Sequence, residues 1–275
     1  MSAQTSFRER HHDLIWSLLW PVRAWFTGFP IHRGKGLLFR HVILPALPPE
    51  PASFTYRLPH GETVDLRYRE DLGTLVLFHG GYEDREIAEL CKYVPEGGTV
   101  LDVGANIGLS AIEFARTAGA GGKVIAFEPH PDTAARLRAN LERNGIGNVE
   151  IIQSAVGAAA GTVTFNESAD ATLSSASVVP RNLVRSFEVP LTTVDIAWAA
   201  AGKPKVSALK IDVEGGELAV LQGAIELLAR DHPAILLEAW GAAQLDPIQA
   251  LLTAAGYERR QPAGFEPRNY LYLEA

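Results

Sequence analysis

The chain has 275 residues, 47% of them hydrophobic and 21% charged, enough to bury one large core, with or without a small appendage, and too apolar for a disordered protein. Its 25 basic and 32 acidic side chains leave a net charge of −7, which argues against a general nucleic-acid binder, since that role needs a basic face to neutralise phosphates. Cys91 is the sole cysteine, which excludes an internal disulfide and a cysteine-rich zinc site and fits a reducing cytoplasm.

Residues 1–41 carry six Lys or Arg and two Asp or Glu, together with Trp16, Trp20 and Trp25. The apolar run 14–22 falls short of the about 20 residues a membrane span needs. It contains Pro21 and lacks a small-residue cleavage site, so it reads as neither a transmembrane helix nor a secretory signal. A basic, Trp-rich amphipathic helix suits packing against the main domain or a second copy of the chain. It also suits peripheral contact with an anionic membrane surface. Four prolines within 45–51 can hold neither helix nor central strand, and they close an N-terminal extension over 1–50. Two alternating runs, 54–58 and 63–68, flank a Gly-containing turn and read as a β-hairpin. Ile87, Leu90 and Val94 suggest a short helix, so 51–96 forms a second segment.

From residue 97 the grammar changes, and 97–275 reads as one α/β domain. Apolar strands are expected at 100–103, 123–127, 149–152, 206–212 and 234–237. Helical patterns intervene at 109–117, at 132–143 with Asp132 as its cap, and at 218–228, where Leu218, Leu221, Ile225 and Leu228 make one face. Another helix is capped by Asp246 and opened by Pro247. A locally paired strand is expected at 162–165. The Ser-rich stretch 169–185 reads as a mobile loop, and its part near 172–177 as a candidate acceptor lid. Two short strands near Tyr257 and at 270–273 close the chain. Strands alternating with helices imply a mostly parallel sheet covered on both faces, with ligands at the carboxyl ends of its strands.

Acids stand at those ends: Asp102, Glu128, the pair Asp212 and Glu214, and Glu238. Each is costly to bury unpaired. After Asp102, Gly104 and Gly108 open a helix, in neither the dinucleotide nor the phosphate-loop pattern. A pyrophosphate there would be repelled by Asp102, whereas a cation would be attracted. S-adenosylmethionine brings an ammonium, a sulfonium and a ribose diol. Glu128 stands where the ribose-binding acid of Rossmann-like sheets is expected.

These residues carry a resemblance. DVGANIG over 102–108, Phe127-Glu128-Pro129 and LKIDVEGGE over 209–217 resemble the FkbM family of S-adenosylmethionine-dependent methyltransferases, and Tyr82-Glu83 resembles its short pre-strand motif. The likeness covers roughly residues 80–241. It implies a Rossmann-like class I fold with a seven-stranded, mostly parallel sheet and a C-terminal antiparallel hairpin. It also implies O-methylation of a hydroxyl on a sugar, glycan or secondary metabolite, with the acceptor left open. Family members often carry an aromatic residue or His after the strand-end Glu. Here Ala239-Trp240 follow Glu238, so no histidine base is available at that point.

On this reading Asp102, Gly104, Asn106 and Gly108 hold the methionine end of the cofactor, Glu83 reaches its ammonium, and Glu128 with Pro129 takes the ribose. Ser154 and Ala155 line the adenine. Asp212, Glu214, Lys210 and Glu238 are the catalytic candidates, the acids as general bases and Lys210 as a partner to an acid or a developing alkoxide. No metal ligands are assigned. His79 and His130 flank the motif segments within reach of an acceptor, but are expected on exposed loops. The competing readings are a metal-dependent hydrolase built on the strand-end carboxylates and a non-catalytic binding module on the same scaffold. An NAD enzyme is disfavoured by the glycine pattern.

Overall fold

The computed structural model describes Leu47 and residues 52–68, 70–79, 81–168 and 183–275. The Trp-rich extension and the Ser-rich stretch 169–182 lie outside the described residues, as does the side chain of His79. The chain divides into two compact units. The smaller spans Met1–Arg57 and Asp65–Tyr82. It carries β1 (Ser53–Arg57), most of β2 (Thr63–Arg67) and α1 (Asp71–His79). The expected hairpin is there as a two-stranded sheet. Helix α1 was not expected, because its apolar residues follow neither a helical nor a strand period.

The larger unit spans Leu58–Val64 and Glu83–Ala275. Its main sheet is made of β3 (Thr99–Val103), β4 (Lys123–Phe127), β5 (Val149–Ile152), β9 (Val206–Ile211), β10 (Ala234–Glu238), β11 (Tyr257–Arg260) and β12 (Asn269–Glu274). The spatial order is β11-β12-β10-β9-β3-β4-β5. Strands β3, β4, β5, β9 and β10 are parallel, and β12 lies antiparallel between β10 and β11. This is the seven-stranded sheet with its closing hairpin. A second sheet joins β6 (Ala155–Val156), β8 (Leu183–Thr192) and β7 (Gly161–Ser168). Residues 183–185, expected in a loop, instead begin β8.

Alternation along the central strands divides the core in two. Leu101, Val103, Ile125, Phe127, Leu209, Ile211, Ile235 and Leu237 pack on one face. Val100, Val124, Ala208, Ala234 and Leu236 pack on the other, against Ile87 and Leu90 of α2 (Asp84–Cys91) and Phe114 and Ala115 of α3 (Leu109–Ala118). By the same alternation Asp102 and Lys210 fall on the α2–α3 face. The site follows from that placement.

Several helices depart from expectation. α4 (Pro131–Arg143) is capped by His130, whose Nδ1 accepts the Asp132 N–H at 3.2 Å, so Asp132 is inside the helix and His130 is buried. The single face drawn through Leu218 and Leu228 is broken into α6 (Glu217–Gln222) and α7 (Ile225–Asp231), and Ile225 points outward at 52% exposure. The break is at Gly223, where a Cβ would fall 2.1 Å from the Gly157 carbonyl oxygen. α8 (Ala242–Ala254) begins ahead of Asp246 and carries Pro247 inside. Its entry is closed by Gln244, whose Oε1 accepts the Trp240 N–H at 2.6 Å. α5 (Val194–Ala200), capped by Thr193, was not expected at all. Among the described residues no helix is long and apolar enough to cross a membrane.

Candidate active site

The carboxyl edge of β3, β4, β9 and β10 gathers the acids. Asp102 is fully buried and its Cα pairs with that of Lys210 across β3 and β9. Ser110, in the first turn of α3, donates to Asp102 Oδ2 at 2.7 Å, while Asp102 Oδ1 is buried without a hydrogen bond. Lys210 Nζ donates to Asp212 Oδ2 at 3.1 Å and lies 3.5 Å from Glu83 Oε2. Glu83 comes from the turn ahead of α2, held with φ of 53° in the left-handed region. Its Oε1 accepts from Asn269 Nδ2 at 3.1 Å.

These charges set one another. Burial alone would lower the Lys210 pKa, but Asp212, Glu83 and Asp102 outweigh it and raise it above the ordinary lysine range. Burial pushes Glu83 up to about 7 against the pull of Lys210. It raises Asp102 as well, opposed by Lys210 and the Ser110 hydroxyl. One lysine thus faces three carboxylates, and the nest keeps a negative surplus with an orphaned oxygen on Asp102.

The glycine loop folds over this nest. A Cβ on Gly104 would fall 1.8 Å from the Asp212 carbonyl oxygen, and its φ of 87° suits only glycine. The Gly104 and Ala105 N–H groups both donate to the Phe127 carbonyl, which ties the loop to β4. Asn106 is exposed, and its N–H donates to Glu128 Oε2 at 3.1 Å; the His130 N–H donates to Oε1 at 2.9 Å. Glu128 is buried, and burial lifts it to about 7 despite those two donors. Pro129 is half-buried beside it, and Gly108 is buried at the entry to α3.

On the outer side, carboxylate oxygens of Asp212, Glu214 and Glu238 lie within 4.8 Å of one another. Burial, and then Asp212, raise the Glu238 pKa; a side-chain hydrogen bond with Trp240 and the charge of Arg268 oppose them. Three such oxygens at this spacing favour sharing a proton or a cation. The turn that carries them is closed by Glu217, whose Oε1 accepts from the Gly215 N–H at 2.9 Å. Ser154 and Ala155 sit further along the edge. The Ser154 hydroxyl faces the Pro190 carbonyl at 2.8 Å and the Ala155 carbonyl at 2.9 Å, which leaves it lone pairs to accept with. Ala155 packs with Phe165 and Val189.

The structure therefore brings Glu83, Asp102, Lys210 and Asp212 into one cluster, sets Glu214 and Glu238 around Asp212, and joins Glu128 to the glycine loop. Ser110, Asn269, Glu217 and His130 complete the arrangement without having been expected there. Ser110 and Glu217 lie within or beside recognised segments, but nothing local to Asn269 marks it. It arrives through β12, where its Cα pairs with that of Glu238.

The family model for the methyltransferase FkbM domain matches residues 102–259, more than half of the chain. Hexuronic acid methyltransferase AglP of Haloferax volcanii is 32% identical over 146 residues, 53% of this chain and 58% of that protein. The chain thus spans less than two thirds of the length of that relative. The 31-O-demethyl-FK506 methyltransferase FkbM of Streptomyces tacrolimicus is 31% identical over 206 residues, 62% of this chain and 75% of that protein. A crystal structure of a methyltransferase FkbM from Methylobacillus flagellatus KT aligns over 76% of this chain and 62% of that one, with a TM-score of 0.47 and 16% identity.

Proposed function

The chain belongs to the FkbM methyltransferase family and is an S-adenosylmethionine-dependent enzyme, and from that premise we propose that it methylates a hydroxyl oxygen of a sugar or a hydroxylated secondary metabolite. The observation that carries this reading is the pairing, on one sheet edge, of a buried nest with surplus negative charge and a half-buried group of carboxylates. The orphaned Asp102 Oδ1 and the single lysine among three acids fit a ligand that brings its own positive charge. The names of two relatives, a hexuronic acid methyltransferase and a 31-O-demethyl-FK506 methyltransferase, support an oxygen acceptor.

In this reading Glu83 and Asp102 hold the cationic methionine end, with Lys210 fixing both and Asn269 steadying Glu83. Gly104, Asn106 and Gly108 shape the loop around it. Glu128, already oriented by two backbone N–H groups, keeps lone pairs for the ribose hydroxyls, with Pro129 beside it. Ser154 offers a lone pair to the adenine amino group, next to Ala155. Bound S-adenosylmethionine would supply an activated sulfonium methyl for in-line transfer to the acceptor oxygen, with the thioether S-adenosylhomocysteine as the leaving group. The hydroxyl proton passes to Glu238: its raised pKa makes it the stronger base, whereas Asp212 Oδ2 is committed to Lys210. Asp212 and Glu214 flank the acceptor oxygen beside Glu238, on which the proton stays. The enzyme's main contribution is placement.

The test is incubation of the full chain with isotope-labelled S-adenosylmethionine and a panel of hydroxylated sugars and metabolites, with products located by mass spectrometry and NMR. Label on an acceptor oxygen, retained in the presence of a chelator, is expected. Label on nitrogen or carbon would overturn the oxygen acceptor. Activity lost with the chelator and restored by Mg2+ would assign Asp212, Glu214 and Glu238 to a cation instead of a proton.

A further inference from the structure

The described residues hold two arginine–tryptophan stacks of opposite character. Arg230 lies over Trp198, its Cζ 4.2 Å from the ring centroid, but Trp198 is 1% exposed. The Arg230 N–H groups are taken up by Asp231 and the Lys203 and Pro204 carbonyls. That stack is structural. Arg268 lies closer over Trp240, at 3.5 Å, and Trp240 is 48% exposed. The exposed Arg268 guanidinium lies within the field of Glu238 and makes no close hydrogen bond or ion pair among the described residues.

The second stack is also fixed in place. Trp240 stands two residues beyond Glu238. The Ala239 N–H donates to the Arg268 carbonyl at 2.9 Å, and Arg268 precedes Asn269, the β12 partner of Glu238. The indole therefore sits at the mouth of the carboxylate group with one face covered by a guanidinium and part of its surface open. A guanidinium stacked flat keeps its in-plane N–H fork free for a carboxylate or a phosphate. An indole offers a platform for the apolar face of a ring.

We propose that Trp240 and Arg268 form the acceptor subsite, and that the acceptor is a ring compound carrying an oxyanion, either carboxylate or phosphate, near the hydroxyl that is methylated. The inference rests on the reading of Glu238 as the acceptor side. It also answers a difficulty of that reading. Three clustered acids repel an anionic acceptor, and a fixed cation at their rim is what such a substrate requires.

The test uses three probes, methyl glucuronide, glucose 1-phosphate and methyl glucoside, titrated by saturation-transfer NMR into the full chain saturated with S-adenosylhomocysteine. At least one anionic sugar is expected to bind about tenfold or more tighter than the neutral glucoside. Whichever anion it is distinguishes carboxylate from phosphate. Arg268→Gln should bring that sugar down to the level of the glucoside, and Trp240→Ala should weaken all three probes. Both variants should keep the melting temperature and the S-adenosylhomocysteine affinity of the parent. Equal binding of charged and neutral sugars, no binding of any of the three, or a preference that survives Arg268→Gln would overturn the proposal. Failure of S-adenosylhomocysteine itself to bind the parent chain would fault the cofactor reading instead.

Discussion

Two regions share the carboxyl edge of the main sheet and differ in how they hold charge. In the inner nest, Asp102, Glu83 and Lys210 have almost no exposure and meet donors and acceptors from α3, β9 and β12. In the outer group, Asp212, Glu214 and Glu238 stand closer to solvent, with carboxylate oxygens within 4.8 Å of one another. Low dielectric and fixed partners make the nest an electrostatic receptor that resists rearrangement. Partial exposure lets the outer group exchange protons with water. In the proposed function the same residue type thus serves binding in one place and proton transfer a few ångströms away, with environment deciding which.

The variants that separate these regions differ in size of effect. Gly104→Ala should damage both, since its Cβ collides with the Asp212 backbone and no side-chain motion relieves it. A loss of about 3–5 kcal/mol is expected, read as a large fall in melting temperature with loss of cofactor binding. An unchanged melting curve would mean the loop is not held as described. Asp102→Ala strikes the nest alone. Losing a charged partner of the ligand's cationic end should lower affinity for S-adenosylmethionine by about 100-fold in calorimetry. Retained affinity would remove Asp102 from the binding site.

Glu238→Gln strikes the outer group alone. Turnover should fall by about 100-fold with cofactor affinity unchanged, as expected for loss of a general base, and Asp212→Asn should cost less. Equal effects on binding and turnover would erase the distinction between the two regions. The smallest effect is that of pH. Glu83 and Glu128 are both raised to about 7, so each is largely neutral below that pH; only above it does Glu83 attract a cation and Glu128 accept from the ribose hydroxyls with its full charge. Affinity for S-adenosylmethionine should therefore rise with pH through about 7, and Glu83→Gln should flatten the rise. The sign for stability is opposite. The folded state holds these protons up to about 7, whereas the unfolded chain releases them near 4.5, so the two groups cost stability as pH climbs through that window. Thermal melts across the window check it.

Much of this arrangement was legible in the chain because it is local. Apolar strands followed by Asp102, Glu128, Asp212 and Glu238 announce themselves, and alternation puts Lys210 on the same face as Asp102. The nest was only half legible. Glu83 reaches Lys210 because α2 packs on that face, and Asn269 reaches Glu83 because β12 inserts beside β10. Neither contact leaves a mark in nearby sequence. The helices at 71–79 and 194–200 were missed because short apolar stretches without a clear period carry little signal. The helix expected from Asp246-Pro247 begins earlier, since Gln244 closes the first turn from within and Pro247 is accommodated inside the helix. His130 took the capping role because Pro131 occupies the first helical position and its imidazole could reach the Asp132 N–H.

The central claim is that the buried nest, and not the outer carboxylates, receives the cationic end of S-adenosylmethionine. Calorimetric titration of S-adenosylmethionine into the parent chain, Glu83→Gln and Glu238→Gln at about pH 7.5 tests it most directly. Micromolar binding to the parent and to Glu238→Gln is expected, with Glu83→Gln weakened by about tenfold or more. Equal affinity in the parent and Glu83→Gln, or a loss confined to Glu238→Gln, would contradict it.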